Sequence, residues 1–364
     1  MGADAQAREL QQMVREGFVR YGRDRYTFER RREVLGTAEG YSTEAWNDYA
    51  ELGWLALCLP EDLGGLQADA EMTGALMETV GRHLLMEPLL ASAVLGTAAI
   101  ARAGDEALLG EMSPGLADGT RKLAIAFQGA PVRLYDGALH GESVNVLHGD
   151  VADFMLVGCA GADGAAALCL VDASSTGVSR RAYRLVDGRG AAILSLDGAP
   201  ARMLGDAAAL DRLRDESAVA LCAEALGSVE RLIEATADYL QVRKQFGRAI
   251  GTYQALQHRM SEMYLLREEI RALTAAARVA LEAGGPERER SIGGAVAYVV
   301  RAAREVGNAA VQLHGGVGVT DELEISHHFR RLMVNAALQG GFDPNFERFA
   351  RGSETPGSAK PGGH

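Results

Sequence analysis

The apolar residues of this chain change period twice, near residue 123 and again near residue 206, and few folds accommodate both changes. Up to about residue 122 the pattern is helical. Leu76, Val80 and Leu84 recur along one helix face, and Ala93 to Ala103 reads as a helix of small apolar residues. Turn signals fall at Pro60, Gly64-Gly65, Pro88 and Pro114-Gly115. From 123 to 205 short apolar runs take over: Leu123 to Phe127, Phe154 to Val157 and Ala167 to Val171. Gly, Asp and Ser separate them, with turns about every eight to twelve residues, as in an antiparallel β unit. Asp136-Gly137, between Leu134 and Leu139, has the composition of a hairpin turn. From 206 the helical period returns. Leu226, Val229, Ile233 and Leu240 form one stripe; Ile292, Val296, Val299, Ala303, Val306, Ala310 and Leu313 form another. Helices this long, broken at Gly284-Gly285-Pro286, should pack as an antiparallel bundle. The expected fold is therefore α+β, mainly α. It comprises an N-terminal helical domain (1–122), a middle antiparallel β domain (123–205) and a C-terminal helical bundle (206–352), followed by a disordered Gly/Ser/Pro-rich tail (353–364).

The formal net charge of −12 argues against nucleic acid and against an anionic membrane surface as partners. It does not exclude a polyanionic small ligand held by a local group of arginines. No apolar run approaches the roughly eighteen residues of a membrane span. The amino terminus lacks the layout of a signal peptide, so the expectation is cytoplasmic. The 4 cysteines, Cys58, Cys159, Cys169 and Cys222, show no metal-binding spacing and read as inert thiols. No metal site is expected.

Two segments could carry chemistry. Arg243-Lys244-Gln245-Phe246-Gly247 offers a planar cationic fork suited to a pyrophosphate, an aromatic side chain, and a glycine that ends the helix and permits close approach. Gln312-Leu313-His314-Gly315-Gly316 offers a neutral donor–acceptor side chain and two backbone N–H groups with no side chain in the way. Each has a plainer reading. Arg243-Lys244 can complement a helix dipole, Phe246 can be core, and Gly315-Gly316 can stop a helix.

Taken together and in this order, the segments resemble the acyl-CoA dehydrogenase family. The match runs from Tyr239 through Arg243-Lys244-Gln245-Phe246-Gly247 to Gly251, Gln254 and His258. It continues through Gln312 to Val319 and Phe329-Arg330-Arg331. Leu59-Pro60-Glu61-Asp62-Leu63-Gly64-Gly65 and Gly81-Arg82 extend it to the amino-terminal part, whereas the β unit matches only in outline. The resemblance implies FAD as cofactor, with Arg243, Gln245, Phe246, Gln254, Gln312, Leu313, Gly315 and Gly316 gripping its adenine end, mainly on a neighbouring subunit.

It also implies a catalytic Glu that abstracts the proton alpha to an acyl-CoA thioester. Counting from Arg330, that position holds Gln339; the alternative position early in the first long bundle helix holds Ser217. Glu216 and Glu224 are the nearest substitutes, and Glu322 and Glu324 read as a solvated face. The loop and Trp-bearing strand that usually hold the flavin ring are replaced by Ala126-Phe127-Gln128-Gly129-Ala130-Pro131 and Val146-Leu147-His148-Gly149. Phe342-Asp343-Pro344-Asn345 stands in place of the Thr and Gln that usually follow the base. Both tryptophans, Trp46 and Trp54, lie elsewhere.

The expected function is a non-catalytic subunit of a heteromeric acyl-CoA dehydrogenase, paired as α2β2 with a catalytic chain and passing electrons to an electron-transfer flavoprotein. Its substrate would be a bulky acyl-CoA such as a steroid side-chain thioester. The rivals are a homotetrameric flavoenzyme using an unusual base, Glu224 or Glu216, and a flavin-free structural or regulatory subunit.

Overall fold

The computed structural model describes residues 3–129, 132–285 and 287–351, with side chains from Glu9 onward. Ala130, Pro131, Pro286 and the expected disordered tail at 353–364 lie outside the described residues. Two compact units divide the chain, Met1–Ala220 and Leu221–His364.

The first unit opens with six helices: α1 (Ala3–Arg25), α2 (Phe28–Leu35), α3 (Thr43–Glu51), α4 (Ala70–His83), α5 (Thr97–Arg102) and α6 (Glu106–Ala117). Four start at a side-chain cap. Thr27, Ser42, Asp69 and Asp105 accept from the backbone N–H three residues on, at 2.8–3.3 Å. The expected helix Ala93 to Ala103 is present with an altered winding, for Leu89–Gly96 forms a π-helical segment before α5. Trp54 belongs to this core, stacked on Tyr49 at 4.8 Å with Phe18 edge-on at 4.8 Å. Trp46 donates to the Gly119 carbonyl at 2.8 Å.

The sheet follows: β1 (Leu123–Ala126), β2 (Val132–Tyr135), β3 (Ala138–Leu147), β4 (Phe154–Ala160), β5 (Ala166–Asp172), β6 (Val178–Arg184), β7 (Gly190–Pro200) and β8 (Arg202–Asp206). Its order is β6-β7-β3-β2-β4-β5-β8, with β1 also on β4. The expected hairpin turn is present, because Asp136 and Gly137 both have positive φ, 47° and 76°, and join β2 to β3. The sheet is not wholly antiparallel: β1 and β2 both run parallel to β4. Val146, Met155, Val157, Cys169, Val171 and Leu194 fill its core. Cys159 and Cys169, separated in sequence, meet there with sulfurs 3.5 Å apart because β4 and β5 are neighbours.

Helix α7 (Ala207–Val242) runs from the first unit into the second. A short hairpin, β9 (Lys244–Gln245) with β10 (Arg248–Ala249), leads to α8 (Gln254–Ala283), α9 (Glu287–His314), α10 (Glu324–Leu338) and α11 (Phe342–Arg351). Both expected stripes are core: Leu226, Val229, Ile233 and Leu240 on α7 are buried, as are Ile292, Val296, Val299, Ala303, Val306 and Ala310 on α9. Leu313 alone is only half-buried. Gly307 permits the closest packing of α9 on α10, since a Cβ there would stand 2.7 Å from the Phe329 ring. Among the described residues no helix is long and apolar enough to cross a membrane.

Candidate functional site

Helix α7 stops at Val242, and Arg243 is already outside it. Gly247 therefore does not end the helix, as the sequence suggested; it is the second corner of a hairpin. Gln245 pairs with Arg248 and Lys244 with Ala249 across β9 and β10, leaving Phe246-Gly247 as a two-residue turn. Both corners have positive φ, 53° and 84°, which is the type I′ geometry whose twist matches antiparallel strands. Glycine adopts that conformation freely; phenylalanine does not, and holds it at a cost of about 1 kcal/mol or more. The strained Phe246 is also 91% exposed, so it is not the core residue of the plainer reading. The Ile250 N–H donates to the Arg243 carbonyl at 2.8 Å, fixing the base of the hairpin.

The second segment lies beside the first. The Tyr239 ring stacks on His314, with centroids 4.4 Å apart and planes 25° from parallel. The Tyr239 hydroxyl donates to the His314 carbonyl at 3.4 Å, and the Tyr239 carbonyl accepts from the Arg243 N–H at 2.9 Å. One tyrosine thus ties both motifs together. Burial lowers the His314 imidazole below its usual range, so near neutral pH the ring is uncharged and Nδ1–H can donate to Ala310 O at 2.8 Å. The chain then turns at Gly315, φ 63°, and runs through a short 3-10 turn to Val319. Among the described residues, a Cβ added at Gly316 would meet no atom within 4 Å. Gly316 has no positive φ either, so neither packing nor backbone conformation within this chain calls for glycine there. Arg243, Gln245, Gln254, Gln312, Gly315 and Gly316 are all exposed, and Leu313 is half-buried. Tyr239 and its stack were missed by the sequence reading; its place one turn before Arg243 was the only available signal.

The carboxylates are placed otherwise. Gln339 occupies the C-cap of α10, where its side-chain amide donates to Asn335 O at 3.2 Å. Cys222, whose thiol burial pushes up to about 12, donates to the Gln339 side chain at 3.6 Å. Gly340 and Gly341, φ 79° and 80°, complete the turn, and the buried Asn345 amide closes it by donating to the Gln339 and Gly341 carbonyls, both at 2.8 Å. Ser217 is half-buried on α7. Glu216 is held by two arginines, Arg102 at 2.6 Å and Arg212 at 2.8 Å. Glu224, in the second unit, is fully buried against an equally buried Arg331 at 2.8 Å. Both acids are thus engaged in ion pairs within the chain.

Glu322 is exposed as expected, but Glu324 is not part of a solvated face. Its side chain is 20% exposed and pairs bidentately with Arg231 and with His328 at 3.7 Å. Burial alone would raise the carboxyl; His328 and Arg231 outweigh it and hold the group at about 2. Because the folded value lies below the unfolded one, the pairing stabilises the fold above pH 4.5 and fades as pH falls toward 2. Glu324→Gln should therefore cost about 3 kcal/mol at pH 7 and flatten the acid limb between those values, read from denaturant midpoints against pH.

In the first unit the segment after β1 is closed on the sheet. The Gln128 carbonyl accepts from Val144 N–H at 3.0 Å and Ser143 Oγ at 2.7 Å. Its side-chain oxygen accepts from the Asn145 amide at 3.1 Å, and Tyr183 OH donates to Asn145 Oδ1 at 2.8 Å. Asn145 sits at φ 53° in a bulge between β3 and β7. Gln128, in the segment expected at the flavin ring, and Asn145 beside it thus bond to other groups of the chain.

The models of two known domains match the chain: "Acyl-CoA dehydrogenase, N-terminal domain" over residues 8–120 and "Acyl-CoA dehydrogenase, C-terminal domain" over residues 205–352. Acyl-CoA dehydrogenase FadE27 of Mycobacterium tuberculosis is 30% identical, over 91% of this chain and 93% of its own length. Among solved structures, the ChsE4-ChsE5 complex from Mycobacterium tuberculosis is similar with a TM-score of 0.88 and 27% identity, covering 96% of this chain and 98% of that chain. A variant of the Tcur3481-Tcur3483 steroid ACAD is similar with a TM-score of 0.86 and 29% identity, again covering 96% and 98%.

Proposed function

Because the chain belongs to the acyl-CoA dehydrogenase family, we propose that it is the subunit of a heteromeric, FAD-dependent acyl-CoA dehydrogenase that completes the active site of a catalytic partner chain. The observation that carries this reading is an asymmetry. Arg243, Phe246, Gly315 and Gly316 stand exposed, with room beside both glycines among the described residues, whereas the position of the base is filled by Gln339 and the two substitute acids, Glu216 and Glu224, are held in ion pairs. FAD, when bound, accepts the two electrons of an α,β-desaturation. Arg243 would hold its pyrophosphate with a charged fork, and Phe246 would lie against the adenine. Gln312 and the open backbone at Gly315 and Gly316 would reach the ribose and phosphate. The chain's own residues fit the adenine half of the cofactor; the loop at Gln128 and the bulge at Asn145 do not fit the flavin ring, since they already bond to each other. The base and most of the acyl pocket would come from the partner.

Two similar structures support a paired assembly and a bulky substrate, since one is a two-component complex and the other is named a steroid ACAD. We extend that to a steroid-type acyl-CoA for this chain, in an α2β2 assembly working in the cytoplasm with an electron-transfer flavoprotein as acceptor. The test compares the chain produced alone with the chain co-produced with a catalytic acyl-CoA dehydrogenase subunit, measuring flavin by absorbance. The expected result is a colourless chain alone and one FAD per two chains in the complex. Stoichiometric flavin and thioester oxidation by the chain alone would overturn the reading in favour of a self-sufficient flavoenzyme.

A further inference from the structure

A hairpin with two residues per strand is too short to hold its shape unaided, and this one also carries a phenylalanine at φ 53° on its tip. Something outside the hairpin must maintain it. The side chain placed to do so is Tyr253, just before α8. Its hydroxyl donates to the Gln245 carbonyl at 3.3 Å, on one strand. Its ring lies under the Arg248 guanidinium, 4.1 Å from the centroid, on the other strand. The same ring meets Phe246 edge-on, at 6.4 Å and 89°. Tyr253 is itself anchored, since its N–H donates to Ile250 O at 3.1 Å and its carbonyl accepts from Leu256 and Gln257 at the start of α8. One ring thus touches both strands and the tip, from a fixed position at the end of a long helix.

We propose that Tyr253 is a positioning residue, which braces the hairpin so that Arg243 and Phe246 are already arranged for the nucleotide before it arrives. The inference rests on the reading that these residues grip FAD, and it adds a residue that need not touch the cofactor. Its physical content is preorganisation: a loop held in its binding conformation loses less entropy on binding. Neither the cation–π contact nor the hydroxyl bond is large alone, but both act on the same short loop.

The hairpin supplies its own reporter, for Arg243, Lys244 and Arg248 are trypsin sites. In the full-length chain, Tyr253→Leu should speed cleavage between residues 243 and 249 about tenfold, because cutting follows the population of the open loop. Tyr253→Phe keeps the ring under Arg248 and should remain within about threefold of the parent. In the complex with the catalytic chain, Tyr253→Leu should weaken FAD retention about tenfold, read from the dissociation of the flavin on dilution, with Tyr253→Phe restoring most of it. Unchanged cleavage in Tyr253→Leu overturns the brace. So does proteolysis spread along the whole chain with a lowered thermal midpoint, which would make Tyr253 a core residue. Arg243→Ala in the same complex separates the two claims. If it loses flavin while Tyr253→Leu does not, the brace is wrong and the grip stands; if Arg243→Ala also keeps its flavin, the grip itself is wrong.

Discussion

Replacing Arg243 by alanine is expected to weaken FAD retention by the complex by about 2–4 kcal/mol, a loss of roughly thirtyfold to nearly a thousandfold in affinity. The size follows from what the side chain is available to do. Arg243 lies beyond the end of α7 and is exposed, and its backbone is fixed at both ends, by the bond to Tyr239 O and by the bond from Ile250 N. With the backbone held, only the side-chain rotamers would remain to be ordered when the guanidinium meets a diphosphate. Lysine would supply charge without the fork, so Arg243→Lys should recover only part of the affinity. Equilibrium dialysis of the complex against free FAD measures both variants. Flavin content unchanged in Arg243→Ala would leave the chain a flavin-free scaffold. The folding of this chain should not depend on the residue, since Arg243 is exposed.

The second large effect concerns stability. Glu224 and Arg331 are both fully buried, one on α7 and the other on α10, with N–O contact at 2.8 Å. Arg331→Leu removes one partner and leaves a carboxylate in a low-dielectric interior, which should cost about 3–5 kcal/mol. Replacing both at once, Glu224→Leu with Arg331→Met, should cost far less, because neither charge then has to be desolvated. Chemical denaturation of the three proteins measures the difference. The outcome also bears on chemistry. If Glu224 were a general base, Glu224→Gln in the complex would abolish turnover of acyl-CoA; on the present reading it retains most of the rate, because the carboxylate acts within the fold. A turnover loss of a thousandfold or more on that conservative change would restore Glu224 as the catalytic group.

The Asp136-Gly137 turn and the stripes of α7 and α9 were legible in the sequence because they are local properties of a few consecutive residues. The two motifs that carry the family resemblance are local in the same sense, as is the glutamine at position 339. The order of strands was less legible. Runs of apolar residues show β1 and β4, and the Asp136-Gly137 turn points to β2, but nothing in the period shows that β1 and β2 lie parallel on β4, since period carries no information about partners. Glu324 was misread for a related reason. It follows Glu322 in a polar stretch and looks solvated, yet Arg231, far away on α7, folds against it and forms a half-buried ion pair.

Residue types alone show that this chain carries Arg243, Phe246, Gly315 and Gly316 in its two motifs and a glutamine at position 339. Such groups are chemical facts that precede folding. Only the tertiary structure decided that Phe246 stands exposed at a strained turn, that Tyr239 stacks on His314 and Tyr253 bonds to Gln245, and that Glu216 and Glu224 are paired with arginines. The reason is distance. Stacking, ion pairing and burial act over a few ångströms between groups remote in sequence, and folding alone determines which of them meet.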